Sequence, residues 1–263
     1  MIESTGPLPM QAPSPGSSFT ELLESLGNRP KWNVPPGEKP PSAPEGTTVL
    51  ALRYGAGVVM AGDRRATEGH LVAHRRIRKV FPADRYSAIS IAGVAGLATE
   101  MVRLFQVELE HYEKIEGVRL SLEGQASFLA RLVRGQLPLA FQGLVVVPLF
   151  AGYDFREEKG RLFSYDAVGG RYEEIDFGST GSGARLAKSY LRTVYRDDLT
   201  SDEAADFAVR ALVAASQEDT ATGGPDLTRG IYPNVIRIDS DGFVELDDDV
   251  VAPLAQQAVE AIR

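Results

Sequence analysis

The sequence contains no cysteine in 263 residues, and only one tryptophan and three histidines. Without cysteine there is no disulfide framework, no thiolate metal site and no cysteine nucleophile. Three histidines leave little material for a histidine-based triad, and no Gly-x-Ser-x-Gly elbow runs from a strand into a helix beside a partner base. His70 and His74 lack both an intervening helical pattern and a glutamate between them, so a solvated loop is expected there rather than a metal site. His111, between Glu110 and Tyr112, is expected on the solvent face of a helix. Long apolar runs are also missing. None approaches the ~20 residues that span a bilayer, and the opening MIESTGPLPMQAPSPGSS has neither the basic start nor the continuous apolar stretch of a secretory signal. Lys and Arg number 28 against 36 Asp and Glu, a net charge of −8, which argues against a nucleic-acid partner. A cytoplasmic protein with no membrane partner is the expectation.

What is present divides near residue 46. Residues 1–46 hold ten of the sixteen prolines, in runs such as Pro13-Ser14-Pro15-Gly16 and Pro35-Pro36-Gly37. Proline fixes φ and removes a donor, so this segment neither joins a sheet nor sustains a long helix. One island, Ser18 to Gly27, has a capping box (Ser18, Glu21), an apolar face (Phe19, Leu22, Leu23, Leu26) and a stop at Gly27. It predicts a short helix that gains stability only by docking. Beyond residue 47 no linker and no internal repeat interrupt the chain.

The pattern from Thr47 onward predicts strands at Thr48–Leu52 and Val58–Ala61 around the Tyr54-Gly55-Ala56-Gly57 turn, then at Ile77–Phe81 and Tyr86–Ala92. Helical periodicity follows over Leu97–Ile115, through Met101, Leu104, Phe105, Leu109 and Tyr112, and over Ser121–Phe141, where Pro138 ends or kinks the helix. Strands return at Leu144–Tyr153, Leu162–Tyr165 and Tyr172–Asp176. Helices are expected at Arg185–Tyr195 and Asp202–Glu218, strands at Val235–Asp239 and Phe243–Leu246, and a last helix at Ala252–Ile262. Blocks of strands and blocks of helices indicate an α+β domain. Its natural form is two antiparallel sheets face to face with helix pairs outside, a four-layer αββα sandwich. The glycines of Gly178–Gly183 read as turn glycines, and Asp247-Asp248-Asp249 as an acidic helix start.

One short stretch carries chemistry by position. Glu45-Gly46-Thr47-Thr48 lies where the proline-rich segment meets the first strand. A cut after Gly46 would give Thr47 a free α-amine beside its hydroxyl. The amine, with an ordinary pKa of about 7.7–8.0, can serve as base for that hydroxyl. On the tripeptide alone, a plain strand-starting threonine is the better reading.

The run Thr47-Thr48-Val49-Leu50-Ala51-Leu52, then Val59-Met60-Ala61-Gly62-Asp63-Arg64-Arg65-Ala66-Thr67, resembles the opening of the mature proteasome β-type chain. Ile77-Arg78-Lys79-Val80, Ile91-Ala92-Gly93, Gly181-Ser182-Gly183 and Asp219-Thr220-Ala221-Thr222-Gly223-Gly224 follow in the family's order. The likeness covers residues 47–263, and the TGGPD run with the proline-rich leader is most similar to actinobacterial β subunits. It implies an N-terminal nucleophile hydrolase fold and a threonine endopeptidase with no cofactor and no metal. In that reading residues 1–46 are a propeptide, cut between Gly46 and Thr47 by the chain itself. Thr47 is then the nucleophile, and Lys79, held by Asp63, keeps the local potential positive. The Gly93 N–H faces the oxyanion, and Ser182, Asp219 and Thr222 orient the amine. Pocket positions are Ala66, Thr67, Ile77, Phe81, Ile91, Ala95 and Thr99, with room for a bulky apolar side chain. The implied partners are α subunits and other β subunits in stacked seven-membered rings (α7β7β7α7), fed by an ATPase ring with unfolded, modifier-tagged protein. A simpler bacterial peptidase ring and a silent scaffold are the competing readings.

Overall fold

The computed structural model of the chain describes residues 46–68 and 71–262, so the expected helix at Ser18–Gly27 lies outside the described residues. Twelve strands and six helices follow from Thr48 among the described residues. The first sheet has the order β10-β1-β2-β11-β12, from β1 (Thr48–Tyr54), β2 (Gly57–Gly62), β10 (Phe177–Gly181), β11 (Asn234–Asp239) and β12 (Gly242–Glu245). The second has the order β5-β6-β7-β8-β9, from β5 (Val80–Asp84), β6 (Ser87–Gly93), β7 (Val146–Asp154), β8 (Lys159–Tyr165) and β9 (Arg171–Glu174). All pairings are antiparallel. A small hairpin, β3 (Ala66–Glu68) with β4 (Leu71–His74), stands apart from both.

The layering follows from which side chains are apolar on both faces of a strand. In β1, Leu50, Leu52 and Tyr54 pack against helices, while Ala51 points into the layer between the sheets beside Val58, Met60, Leu149, Leu162 and Ile236. A strand buried on both faces has no polar alternation, which is why TVLAL is continuous. Outside the second sheet lie α1 (Ala95–Glu116) and α2 (Leu122–Gly135), whose Phe105, Leu109, Leu129 and Val133 cover Ile89, Phe150 and Phe163. A one-turn α3 (Leu137–Ala140) follows, so the predicted helix to Phe141 breaks at Gln136, just before Pro138. Outside the first sheet lie α4 (Ala184–Val194), α5 (Ser201–Glu218) and α6 (Asp248–Glu260). The αββα sandwich is as expected, with one difference. One outer layer holds three helices, because Val251, Ala255 and Ala258 of α6 bury against the same core.

Other departures have local causes. Ile77–Lys79 is not strand, and β5 begins at Val80. Pro82 sits within β5, which is tolerable because β5 is an edge strand with a register shift between Pro82 and Asp84. Leu104 and Tyr112 lie on the exposed flank of α1 rather than in its core stripe. Gly178–Gly181 is strand, the end of β10 paired with β1, and the turn falls only at Ser182-Gly183. Strands β3, β4 and β10 are absent from the sequence reading, since they are short or glycine-rich. Asp247 does start α6, with Asp248 and Asp249 in its first turn, where their charge suits the helix dipole. His111 is exposed on α1, and His74 is exposed at the end of β4.

Candidate active site

Two charges are buried together at the edge where the sheets meet. Asp63 follows β2 and is fully buried, and Lys79 precedes β5 and is 3% exposed. The Lys79 Nζ donates to Asp63 Oδ1 at 2.6 Å. That oxygen also accepts the Thr48 N–H at 2.8 Å, and Oδ2 accepts the N–H groups of Arg65 and Gly223, each at 2.9 Å. A carboxylate removed from water is tolerable when its lone pairs are filled in this way. Burial pushes the Lys79 ammonium below the ordinary lysine value, and Asp63 acts against that shift.

The same ammonium reaches the Gly46–Thr47 peptide. Lys79 Nζ donates to the Gly46 carbonyl oxygen at 3.1 Å. Gly46 has φ +100°, and a Cβ there would lie 2.4 Å from Thr67 Oγ1 and 2.9 Å from Ala221 Cβ. Only glycine fits both the torsion and the space. Thr47 is itself buried, and its carbonyl accepts the Ser182 N–H at 2.9 Å. The Asp63 N–H donates in turn to the Thr48 carbonyl at 3.1 Å. The backbone on either side of the Thr47 Cα is therefore held by the two strands that flank β1 in the first sheet, through Ser182 after β10 and Asp63 after β2.

A second acid lies across from the first. Asp219 closes the C-terminal end of α5. Its Oδ2 accepts from Ser182 Oγ at 2.6 Å and from Thr222 Oγ1 at 2.5 Å, and its Oδ1 accepts the Ala221 N–H at 3.1 Å. Burial acts to raise its pKa, but the Ser182, Thr222 and backbone donors outweigh this and hold it below the usual carboxylate value. Thr222 Oγ1 also lies 2.6 Å from Thr48 Oγ1, which accepts the Gly183 N–H at 2.9 Å.

A cavity of about 270 Å³ opens beside Thr47. Ala66, Ile77, Phe81, Ile91, Ala95 and Thr99 line it, together with Gly46, Lys79 and Gly93. Gly93, at φ +116°, takes a conformation closed to other residues, since a Cβ would meet the Val145 carbonyl at 2.0 Å. Thr67 does not line this cavity. It stands behind Gly46 instead, because successive side chains of β3 alternate between faces and Ala66 is the one that faces the cavity. The lining also includes Arg78 and Ala98, neither read from the sequence. Ala98 lies one turn from Ala95 on α1, and the i, i+3 spacing could have marked it. Arg78 had no such signal. The Arg65 guanidinium was also missed. Its Nη1 donates to the carbonyls of Thr220 and Thr222 at 3.0 and 3.4 Å, holding the loop that carries Thr222. A larger cavity of about 730 Å³ between α1 and α2 contains none of the predicted site residues.

A threonine at the start of a central strand, beside a buried Asp–Lys pair in an αββα sandwich, is the arrangement of an N-terminal nucleophile hydrolase. The comparisons with known proteins narrow this class to a family. Residues 43–226 match the family described as proteasome subunit. A protein described as proteasome subunit beta from Streptomyces griseus is 50% identical over 98% of this chain and 93% of its own length. One of the same description from Acidimicrobium ferrooxidans is 51% identical over 95% of this chain and 91% of its own, and one from Acidothermus cellulolyticus 50% over 97% and 91%. The chain belongs to the proteasome subunit family, on its β-type branch, and is a threonine-type endopeptidase subunit.

Proposed function

We propose that Thr47 is the nucleophile of this proteolytic subunit, and that residues 1–46 are a propeptide which the chain removes itself. The observation that carries the reading is the hydrogen bond from Lys79 Nζ to the Gly46 carbonyl oxygen, made while the same ammonium is paired with Asp63. A donor on that oxygen polarises the carbonyl carbon toward attack and stabilises the charge that develops on it. Thr47 Oγ adds to the Gly46 carbonyl carbon, with water taking its proton. The C–N bond then breaks, and the leaving nitrogen is protonated to become the α-amine of Thr47. Water hydrolyses the resulting ester, and the propeptide departs with Gly46 as its C-terminus.

In the mature subunit the new amine accepts the Thr47 hydroxyl proton, directly or through water, as the oxygen attacks a substrate carbonyl. Lys79 disfavours protonation of that amine by its charge. The Gly93 N–H donates to the substrate oxyanion, an interaction of a kind worth ~2.7–4 kcal/mol in the transition state. Ser182, Asp219 and Thr222 hold the amine and its water. Ala66, Ile91, Ala95 and Thr99 leave space for a bulky apolar residue next to the scissile bond. The subunit works within a proteasome core alongside other subunits. The seven-membered α7β7β7α7 stacking, the ATPase ring, the modifier-tagged substrates and the cytoplasmic setting are parts of the same proposal. Among the described residues no helix is long and apolar enough to cross a membrane.

Intact-mass measurement of the assembled particle, paired with hydrolysis of a fluorogenic peptide, tests the reading. Wild type is expected to begin at Thr47 and to cleave. Thr47→Ala is expected to assemble, retain Gly46 and be inactive. An active particle whose β chain still begins at Met1, or an active Thr47→Ala particle, would overturn it.

A further inference from the structure

We propose that Thr48, the residue after the nucleophile, is a positioning residue whose hydroxyl orders a directed hydrogen-bond chain holding Asp219 and Ser182 beside Thr47. The inference rests on Thr47 being the nucleophile.

The direction of the chain follows from counting protons. The Asp219 carboxylate can only accept, and Thr222 Oγ1 gives it its single proton at 2.5 Å. Thr222 therefore has only a lone pair left for Thr48 Oγ1, 2.6 Å away, so Thr48 is the donor in that contact. With its own proton committed, Thr48 Oγ1 is an acceptor on its other side, where the Gly183 N–H arrives at 2.9 Å. The sequence of donors is Gly183 N–H to Thr48, Thr48 to Thr222 and Thr222 to Asp219, with Ser182 Oγ meeting the same Oδ2 at 2.6 Å. Thr48 and Thr222 are both fully buried, so no water substitutes for a missing link.

Thr48 is also held by its backbone. Its N–H donates to Asp63 Oδ1 at 2.8 Å, and its carbonyl accepts the Asp63 N–H at 3.1 Å. One residue thus joins the Asp63–Lys79 pair to the Asp219 group, and Thr47 is its immediate neighbour in the chain. Ser182 touches Thr47 as well, its N–H donating to the Thr47 carbonyl. If the hydroxyl of Thr48 is removed, Thr222 is free to turn, Asp219 loses its fixed donor, and Ser182 loses its orientation toward the place where the α-amine forms. The competing role is purely structural. Gly183 is the N-cap residue of α4, and a threonine that only satisfied the Gly183 N–H would anchor that helix and nothing more.

The test compares assembled, processed particles carrying Thr48→Val or Thr48→Ser with wild type and with Thr47→Ala. Processing is read by intact mass, stability by thermal melting, and kcat and KM with a fluorogenic peptide, counted per mature Thr47. A hydrogen bond in a charged network corresponds to about a tenfold effect or more. Thr48→Val is therefore expected to lower kcat about tenfold or more with KM within twofold, and Thr48→Ser, which keeps the hydroxyl, to stay within about threefold of wild type. Should the valine variant not assemble, Thr48→Ala removes the hydroxyl without bulk and is held to the same kcat criterion. A kcat within twofold of wild type for the hydroxyl-less variant, whatever its melting temperature, overturns the proposal. Activity in Thr47→Ala would instead overturn the nucleophile assignment, so the two failures are separable.

Discussion

Replacing Gly46 with alanine separates processing from catalysis. At φ +100° an alanine is strained by about 1–3 kcal/mol. Its methyl would lie 2.4 Å from Thr67 Oγ1, 2.9 Å from Ala221 Cβ and 3.2 Å from the Ala221 carbonyl oxygen, a clash of the overpacking kind that adds ~1–3 kcal/mol. The fold need not absorb this. Gly46 precedes β1, so the peptide can swing away, lose its contact with Lys79 Nζ and leave both sheets intact. The strain then appears in the cleavage step alone. A total of ~2–6 kcal/mol corresponds to slowing by roughly 30-fold to 10⁴-fold. A time course of intact mass on assembled particles measures it, with thermal melting expected to stay near wild type. A chain starting at Thr47 after Met removal bypasses the step and is expected to be fully active. If Gly46→Ala is processed at the wild-type rate, the claim that a bound, strained peptide is poised for self-cleavage is wrong.

Asp63→Asn leaves Lys79 buried without a counter-charge, which typically costs ~3–5 kcal/mol. A fall in melting temperature together with loss of peptide hydrolysis is expected, and Lys79→Met, which leaves the fully buried Asp63 carboxylate without its counter-charge, should fail in the same two ways. Asp84 supplies a pH-dependent term. Burial acts to raise its pKa, yet Arg119, Ser87 and the Tyr86 N–H outweigh this and hold it below the ordinary 3.8. Its folded-state pKa is lowered, so its stabilisation is present above the ordinary value and lost as pH falls through the lowered one. Asp84→Asn should therefore destabilise the domain at neutral pH and flatten unfolding below about pH 4, as followed by circular dichroism. Ala98→Leu fills part of the 270 Å³ cavity. Peptides with a bulky apolar residue before the scissile bond should lose kcat/KM about tenfold or more relative to those with alanine there, and an unchanged preference would show that the cavity does not receive that side chain.

The block order of strands and helices and the continuous apolar runs determined the α+β sandwich, because hydrophobic periodicity is written locally. The candidate site residues Asp63, Lys79, Gly93, Ser182, Asp219 and Thr222 came from the resemblance to the family rather than from local pattern. What the chain could not supply were distances between them. Lys79 stands outside β5 because the strand begins at Val80, three residues later than the expected start at Ile77, and from there Nζ reaches both Asp63 and the Gly46 carbonyl. Thr67 is outside the pocket because it follows Ala66 in β3 and faces the other way, and β3 is too short to be read as a strand from the chain. Gly178–Gly181 pairs as a strand because β1 offers it an edge, against its composition. Thr48 gives no sign in the sequence of being more than a strand residue, and only the folding of α5 against β1 brings Thr222 within 2.6 Å of it. The sequence motifs supplied the candidate residues. Contacts between positions up to 174 residues apart decided which of them lie together, since side-chain hydrogen bonds across the core form only after the sheets and helices have packed.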